Sequence, residues 1–562
     1  MSVNVAIGVQ DFSTLIENHY FYVDKTTFLK EWWDSGDSVT LITRPRRFGK
    51  TLTMSMTEQF FSMEYAGRSD LFEELEIWND EKYRNLQGTY PVISLSFANI
   101  KEPTYELTQK KICDLIAQLY FKFDFITESN ALIKEEVNLY KKIMNHMDYV
   151  DATLSLNYLS GFLYKYYGKK VIILLDEYDT PMQEAFVDGY WDELVTFTRS
   201  LFNSTFKTNP ALERGIMTGI TRVSKESIFS DLNNLKVVTT TSDEYATTFG
   251  FTEPEVFEAL GKCGLDSEKS EVKRWYDGYV FGRTEVYNPW SVLNYVELIW
   301  ADMTSLPRPF WANTSSNSIV KTLVEKADIK VKQEIELLIQ GESIEKPIHE
   351  DITYEDIGVE ESEENIWNFL FFTGYLKKVD EALRDGIRYI SMSIPNEEIL
   401  YIYKNTVLSW FGKKVKKKDF SELYRYVTEG EVIGLEKTIS ELLREGISFY
   451  DTKEAFYHGF LMGIFGGMGD YYSYSNRESG DGRYDICLKS MDVEKPVILF
   501  ELKVSESFHQ MEKCSLKAVE QIRMKHYEEE FLRDGYREVL CYGIAFYKKN
   551  CKITVEKQKI ES

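Results

Sequence analysis

Two sets of residues have the types and spacing that chemistry on phosphates needs. The first is Gly49-Lys-Thr51, which closes the run Val39-Thr-Leu-Ile-Thr-Arg-Pro-Arg-Arg-Phe-Gly-Lys-Thr51 between an apolar strand pattern and a helical pattern through Met54, Met56 and Phe60. A loop in that context turns backbone N–H groups toward phosphates, reaches their β and γ oxygens with Lys50, and offers the Thr51 hydroxyl to Mg²⁺. The first glycine usual in such a loop is replaced by Arg44, and Pro45 after it has no N–H to donate. Gly-Lys-Thr after a strand also occurs at ordinary turns, so its weight depends on partners. Val171-Ile-Ile-Leu-Leu-Asp-Glu177 is one: an apolar strand ends in Asp176, suited to hold the Mg²⁺ shell, and Glu177, suited to orient or deprotonate water. The plain alternative is an acidic turn after a core strand. A third run, Gly215 to Ser224, ends in hydroxyls and Arg222, placed as a polar sensor of the γ-phosphate would be; Arg222 serves equally as a surface or salt-bridging residue.

The second set lies near the C-terminus. Gly480 to Leu488 and Pro496 to Val504 read as two strands joined by the polar turn Ser490 to Lys495. Glu501 and Lys503 are two apart and share a strand face, Leu502 points the other way, and Asp485 on the preceding strand can reach the same face. Two carboxylates and a lysine at one spot suit phosphodiester hydrolysis, with Asp485 and Glu501 holding Mg²⁺ and Lys503 positioning or activating water. Glu-x-Lys pairs also occur on exposed sheet faces with no catalytic role.

The elements that must position these groups follow from pattern. From Ser38 to about Gly250, short apolar runs alternate with longer helical-period stretches, which predicts an α/β domain with a mainly parallel sheet over 1–250. Residues 251–430 read as a helical middle region, aromatic-rich at first and strongly acidic from Glu334 to Glu364. Residues 431–562 read as a separate α/β domain. No internal repeat or low-complexity segment interrupts this order.

Composition limits the partners. The chain of 562 residues has 66 basic and 90 acidic side chains, a formal charge of −24, which opposes non-specific adhesion to nucleic acid or anionic membrane over the whole surface. Any polyanion site must be local, and Arg44, Arg46, Arg47 and the run Lys413 to Lys418 are where a polyanion is least repelled. Six cysteines are scattered without a C-x-x-C pair and read as reduced thiols. The first residues lack a basic segment followed by an apolar run, and the apolar stretches are strand-sized, so a cytoplasmic protein without a membrane span is expected. The aromatic residues, 15% of the chain, are spread along it and read as core.

Taken together, Arg44-Pro-Arg-Arg-Phe-Gly-Lys-Thr51, Leu175-Asp-Glu-Tyr-Asp-Thr-Pro181, Trp275-Tyr-Asp-Gly-Tyr279, Tyr287-Asn-Pro-Trp-Ser-Val-Leu293 and Trp311-Ala-Asn-Thr-Ser315 resemble the AAA-ATPase-like bacterial proteins that often carry a C-terminal nuclease domain. In that family the R-P-R-R-F-G-K-[ST] form is usual, and Arg46 and Arg47 can supply guanidinium contacts to phosphate in place of lost backbone donors. The spacing of Asp485, Glu501 and Lys503 resembles the PD-(D/E)xK, restriction-endonuclease-like superfamily, with Tyr484 where the name has proline. That resemblance implies two further residues: Glu454 on a helix as an acidic metal or water contact, and Gln521 on the helix after the strand, similar to a Q-x-x-x-Y element but with a wider gap to Tyr527. His458 reads as a packing or hydrogen-bonded residue rather than a ligand.

The resemblances imply ATP and Mg²⁺, with Mn²⁺ acceptable at the nuclease site, and an ATPase coupled to a metal-dependent nuclease acting on DNA, in defence or the handling of mobile elements. A nucleotide-dependent switch or scaffold that binds a protein partner through a non-catalytic nuclease-like domain is the alternative. A homo-oligomer or a protein trigger is compatible with either.

Overall fold

The computed structural model describes residues 5–221, 229, 232–311, 329–349, 363–404, 420–446, 454–465, 468–475, 478–479, 482–527, 531 and 533–559. Arg222, the run Lys413 to Lys418 and residues 350–362 of the acidic stretch lie outside them. Two compact units form, Met1–Val320 with Ser343–Leu400 and Lys321–Glu342 with Tyr401–Ser562. Of the middle segment, residues 251–320 and 343–400 fall in the first unit.

Five parallel strands organise the first unit: β1 (Val39–Thr43), β2 (Val92–Ser96), β3 (Val171–Asp176), β4 (Leu212–Gly219) and β5 (Leu235–Val238), in the order β2-β3-β4-β1-β5. Every residue of β1 and β3 is buried, as expected where helices cover both faces of a parallel sheet. Burying each Val, Ile or Leu there contributes about 1.5–3 kcal/mol. Parallel strands all end on one edge, and the order puts β4 between β1 and β3. The segments after Thr43, Asp176 and Gly219 therefore converge on that edge, where α/β sheets bind ligands.

The middle segment carries the expected helices, Glu253–Lys262, Lys269–Tyr276, Pro289–Ala301 and Glu363–Phe372. Asn288 caps Pro289–Ala301 by accepting from the N–H groups of Trp290 (3.0 Å) and Ser291 (3.3 Å), with Pro289 at the first turn where its missing N–H costs nothing. It also carries strands that the pattern did not predict: the hairpin β6 (Tyr279–Phe281) and β7 (Thr284–Val286), and an antiparallel sheet of β8 (Ile344–Pro347), β9 (Lys377–Arg384) and β10 (Ile387–Ser393). β6 and β7, three residues each, are too short to show a period, and β9 leaves Val379 and Leu383 exposed, so it lacks the alternation of a half-buried strand.

The second unit is built on a mixed sheet in the order β11-β14-β15-β16-β17, comprising Tyr472–Ser475, Ile486–Lys489, Val497–Val504, Glu538–Tyr547 and Asn550–Lys559. A two-stranded ribbon, β12 (Glu478–Ser479) and β13 (Gly482–Arg483), lies between β11 and β14 in sequence. β15 and β16 are parallel, joined by a crossover that contains helix Met511–Met524. Alternation along β15 splits two cores. Ile498, Phe500 and Leu502 join Leu461, Ile464 and Tyr542 on one face, while Val497 and Leu499 join Ile522 and Tyr527 on the other. Among the described residues no helix is long and apolar enough to cross a membrane.

Candidate active sites

At the edge of the parallel sheet, Gly49 has φ +86 and is the N-cap of helix Lys50–Phe61. A side chain would meet nothing there, so glycine is required by the left-handed backbone and not by space. Lys50 is buried and its Nζ donates to the carbonyls of Arg44 and Pro45, both at 2.9 Å. Burial lowers its pKa, and the charges of Glu177, Asp176 and Asp179 act against that shift. The Thr51 hydroxyl donates to Asp176 Oδ2 at 2.7 Å, and the Thr218 hydroxyl donates to Asp176 Oδ1. Asp176 is 4% exposed, and burial raises its pKa.

A buried carboxylate whose direct partners are two neutral hydroxyls fits a site that gains a cation, since a positive charge offsets the cost of burying the anion. Hydroxyl and carboxylate oxygens are also the donors that Mg²⁺ takes. Glu177, with φ +51, donates its N–H to the Thr218 hydroxyl (3.3 Å) and accepts from the Thr180 hydroxyl (3.0 Å). A non-glycine residue held in that backbone region at a candidate site is where strain is usually found.

The two loop arginines have partners within the first unit. Arg46 donates to Gln183 Oε1 at 2.8 Å, and the Arg47 guanidinium lies 4.1 Å from the centre of the Trp290 ring. Arg44, expected to attract a polyanion, is instead fully buried. Its guanidinium donates to the carbonyls of Thr43, Thr239 and Glu244 and lies over Phe281. Carbonyls that neighbouring backbone supplies made it a strut between β1 and the segment after β5.

Three residues at this edge escaped the sequence reading. Thr218 was one of several hydroxyls at the end of its strand, and only the strand order shows that it faces Asp176. Asp179 is fully buried and accepts from the N–H groups of Ile220 and Thr221, both at 3.0 Å, so it fixes the segment leaving β4. Its spacing three after Asp176 was the available signal. Gln183 had none.

In the second unit β14 and β15 pair with Ile486 opposite Phe500 and Cys487 opposite Leu499. Continuing this register by one residue sets Asp485, just before β14, across from Glu501. Asp485 Oδ2 accepts from the Leu502 N–H at 2.7 Å, which satisfies a strand donor where β14 has not yet begun. Glu501 is 2% exposed and accepts from Lys503 Nζ (2.9 Å) and from Gln521 Nε2. Helix Met511–Met524 comes close enough to deliver Gln521 because Gly543, beside Glu501 on β16, has no side chain: a Cβ there would lie 2.2 Å from the Ser515 carbonyl.

His458 Nε2 lies 3.0 Å from the Asp485 carbonyl oxygen, a hydrogen bond to backbone. Glu454 begins the same helix, Glu454–Phe465, one turn before His458. Asp485, Glu501, Lys503 and Gln521 are thus joined by strand pairing and hydrogen bonds. The carboxylate oxygens of Asp485 and Glu501 are hard donors of the kind Mg²⁺ and Mn²⁺ accept.

Residues 6–229 match the AAA-ATPase-like family, described as predicted AAA-ATPase, and residues 452–556 match the PD-(D/E)XK nuclease superfamily. The chain therefore carries an AAA-ATPase-like domain followed by a C-terminal PD-(D/E)XK nuclease superfamily domain. A relative, an uncharacterized protein in the vnfD 5' region of Azotobacter chroococcum mcd 1, is 25% identical over 320 residues, 57% of this chain. The chain spans 55% of that relative's length.

Proposed function

We propose that this protein binds and hydrolyses ATP at the edge of the parallel sheet and uses the nucleotide to control a Mg²⁺-dependent nuclease acting on DNA. The observation that carries the reading is the cluster of Asp485, Glu501, Lys503 and Gln521 in a domain of nuclease type. Asp485 and Glu501 would hold the metal, which when bound neutralises charge on the scissile phosphate and lowers the pKa of attached water. Lys503 positions that water or stabilises the charge that develops, Gln521 orients Glu501, and Glu454 is an additional acidic contact. In the other domain Lys50, Arg46 and Arg47 would contact phosphates, Thr51 and Asp176 would hold Mg²⁺, Glu177 would orient the attacking water, and Arg222 would act as sensor. A cytoplasmic role in defence or mobile-element handling, with assembly or a protein partner as trigger, suits such a pairing of activities.

The direct test is cleavage of plasmid and single-stranded DNA in Mg²⁺ or Mn²⁺, with and without ATP. Metal-dependent cleavage is expected. Its absence under all these conditions would leave a nucleotide-dependent switch that binds a protein partner. Within the nuclease site, Gln521→Ala removes an amide donor from the buried Glu501. Second-layer partners of metal ligands are worth about 10- to 100-fold in metal affinity. The Mg²⁺ concentration giving half-maximal cleavage should rise by a factor in that range.

A further inference from the structure

The middle segment holds sequence motifs that neither active site uses, and the structure sets Tyr279, Trp290 and Trp311 from them against the phosphate loop. Arg44 lies over Phe281, Phe48 packs edge-on against Tyr279 and Phe281, and Gly374 abuts Pro45, where a Cβ would come within 2.9 Å. The Trp311 indole N–H donates to the Arg46 carbonyl at 3.3 Å, and the Arg47 guanidinium stacks on Trp290 at 4.1 Å. One buried carboxylate ties the two tryptophans together: Glu398 accepts from the Ser291 hydroxyl (2.8 Å), next to Trp290, and from the Trp311 N–H (2.8 Å). Trp290 is thus held by a capped helix and a buried anchor, while Arg47 is exposed, stands at φ +68 and feels the charge of Glu177.

We propose that Trp290 is a latch on the phosphate loop: its ring holds the Arg47 guanidinium in competition with nucleotide phosphate, so that nucleotide binding must draw Arg47 off the ring. The latch is built by the middle segment, which thereby responds to the occupancy of the loop. Phosphate is a stronger partner for a guanidinium than a π face. Trp311 and Glu398 are positioning residues, since they act by fixing the loop and the Trp290 helix. The proposal rests on the nucleotide reading above.

The competition fixes the sign of the test. In the full chain, calorimetric titration with Mg²⁺ and a slowly hydrolysed ATP analogue should show Trp290→Leu binding about two- to fivefold tighter than wild type, the factor to which an exposed cation–π contact corresponds. Nucleotide should also change the tryptophan emission of the wild type, and this change should shrink in Trp290→Leu. If Trp290→Leu lowers the thermal unfolding midpoint so far that binding cannot be measured, Trp290→Phe decides: with a weaker π face it should bind up to about twofold tighter and lose the same emission change. Equal or weaker binding by the variant that folds, with wild type binding normally, overturns the latch and leaves the nucleotide site standing. Absence of calorimetric binding by folded wild type overturns both.

Discussion

Asp485→Asn is expected to cut metal-dependent DNA cleavage by about 10²–10⁴-fold, the range in which loss of a group that holds or activates the attacking water falls. The substitution separates chemistry from folding. Asp485 accepts the Leu502 N–H at 2.7 Å through Oδ2, and the asparagine carbonyl can accept the same bond, so the start of β14 stays pinned while the negative charge is removed. Lys503→Ala should cause a loss of similar size with a different side effect. Its ammonium is bonded to the buried Glu501, and without it that carboxylate keeps the Gln521 amide as a remaining partner. Leaving a buried charge less well compensated costs about 1–3 kcal/mol, which should appear as a lower unfolding midpoint without metal. Single-turnover cleavage and thermal melts of both variants test this. Asp485→Asn cleaving at the wild-type rate would place the activity elsewhere or on a contaminant.

How much of these sites could be read in the sequence depended on the range of the forces that set each residue. Glu501 and Lys503 were legible because side-chain direction in a strand is local: with a period of two they share a face, and Leu502 goes to the opposite core, where it is found. Asp485 followed from one hairpin. The close approach of helix Met511–Met524 was not legible, because it depends on Gly543 meeting the Ser515 carbonyl across a crossover. Gln521 was placed by resemblance alone.

Strand order has the same non-local character. Nothing in the run Gly215 to Ile220 says that it lies between β3 and β1, yet that order aims Thr218 at Asp176. Arg44 shows the converse error. Charge alone marked it as attractive to a polyanion, but the carbonyls of Thr239 and Glu244, about 200 residues later, take it into the interior. β9 was missed because a strand exposed along both faces leaves no hydrophobic period to find.

Lys50→Ala is expected to weaken nucleotide binding by about 10- to 150-fold, the equivalent of one hydrogen bond to a charged group. Lys50 is already inside the loop, with Nζ on the Arg44 and Pro45 carbonyls, so on the proposed function it would be positioned before nucleotide arrives and would lose little side-chain entropy on transfer to phosphate. The two carbonyls lose a donor in the variant, at a cost of about 0.5–1.5 kcal/mol each, a modest effect on stability. A nucleotide titration and a thermal melt separate these terms.

The same variant tests whether the domains are coupled. If nucleotide biases two states that differ in nuclease competence, the coupling free energy must appear in both directions. DNA cleavage by Lys50→Ala should then no longer respond to ATP at concentrations that saturate the wild type. Reciprocally, DNA should change the ATP affinity of the Asp485→Asn protein, which would keep the proposed nucleotide site and leave the DNA largely uncut. Cleavage by Lys50→Ala with wild-type rate and wild-type ATP dependence, alongside lost ATP binding, would mean that the chain joins two activities without linking them.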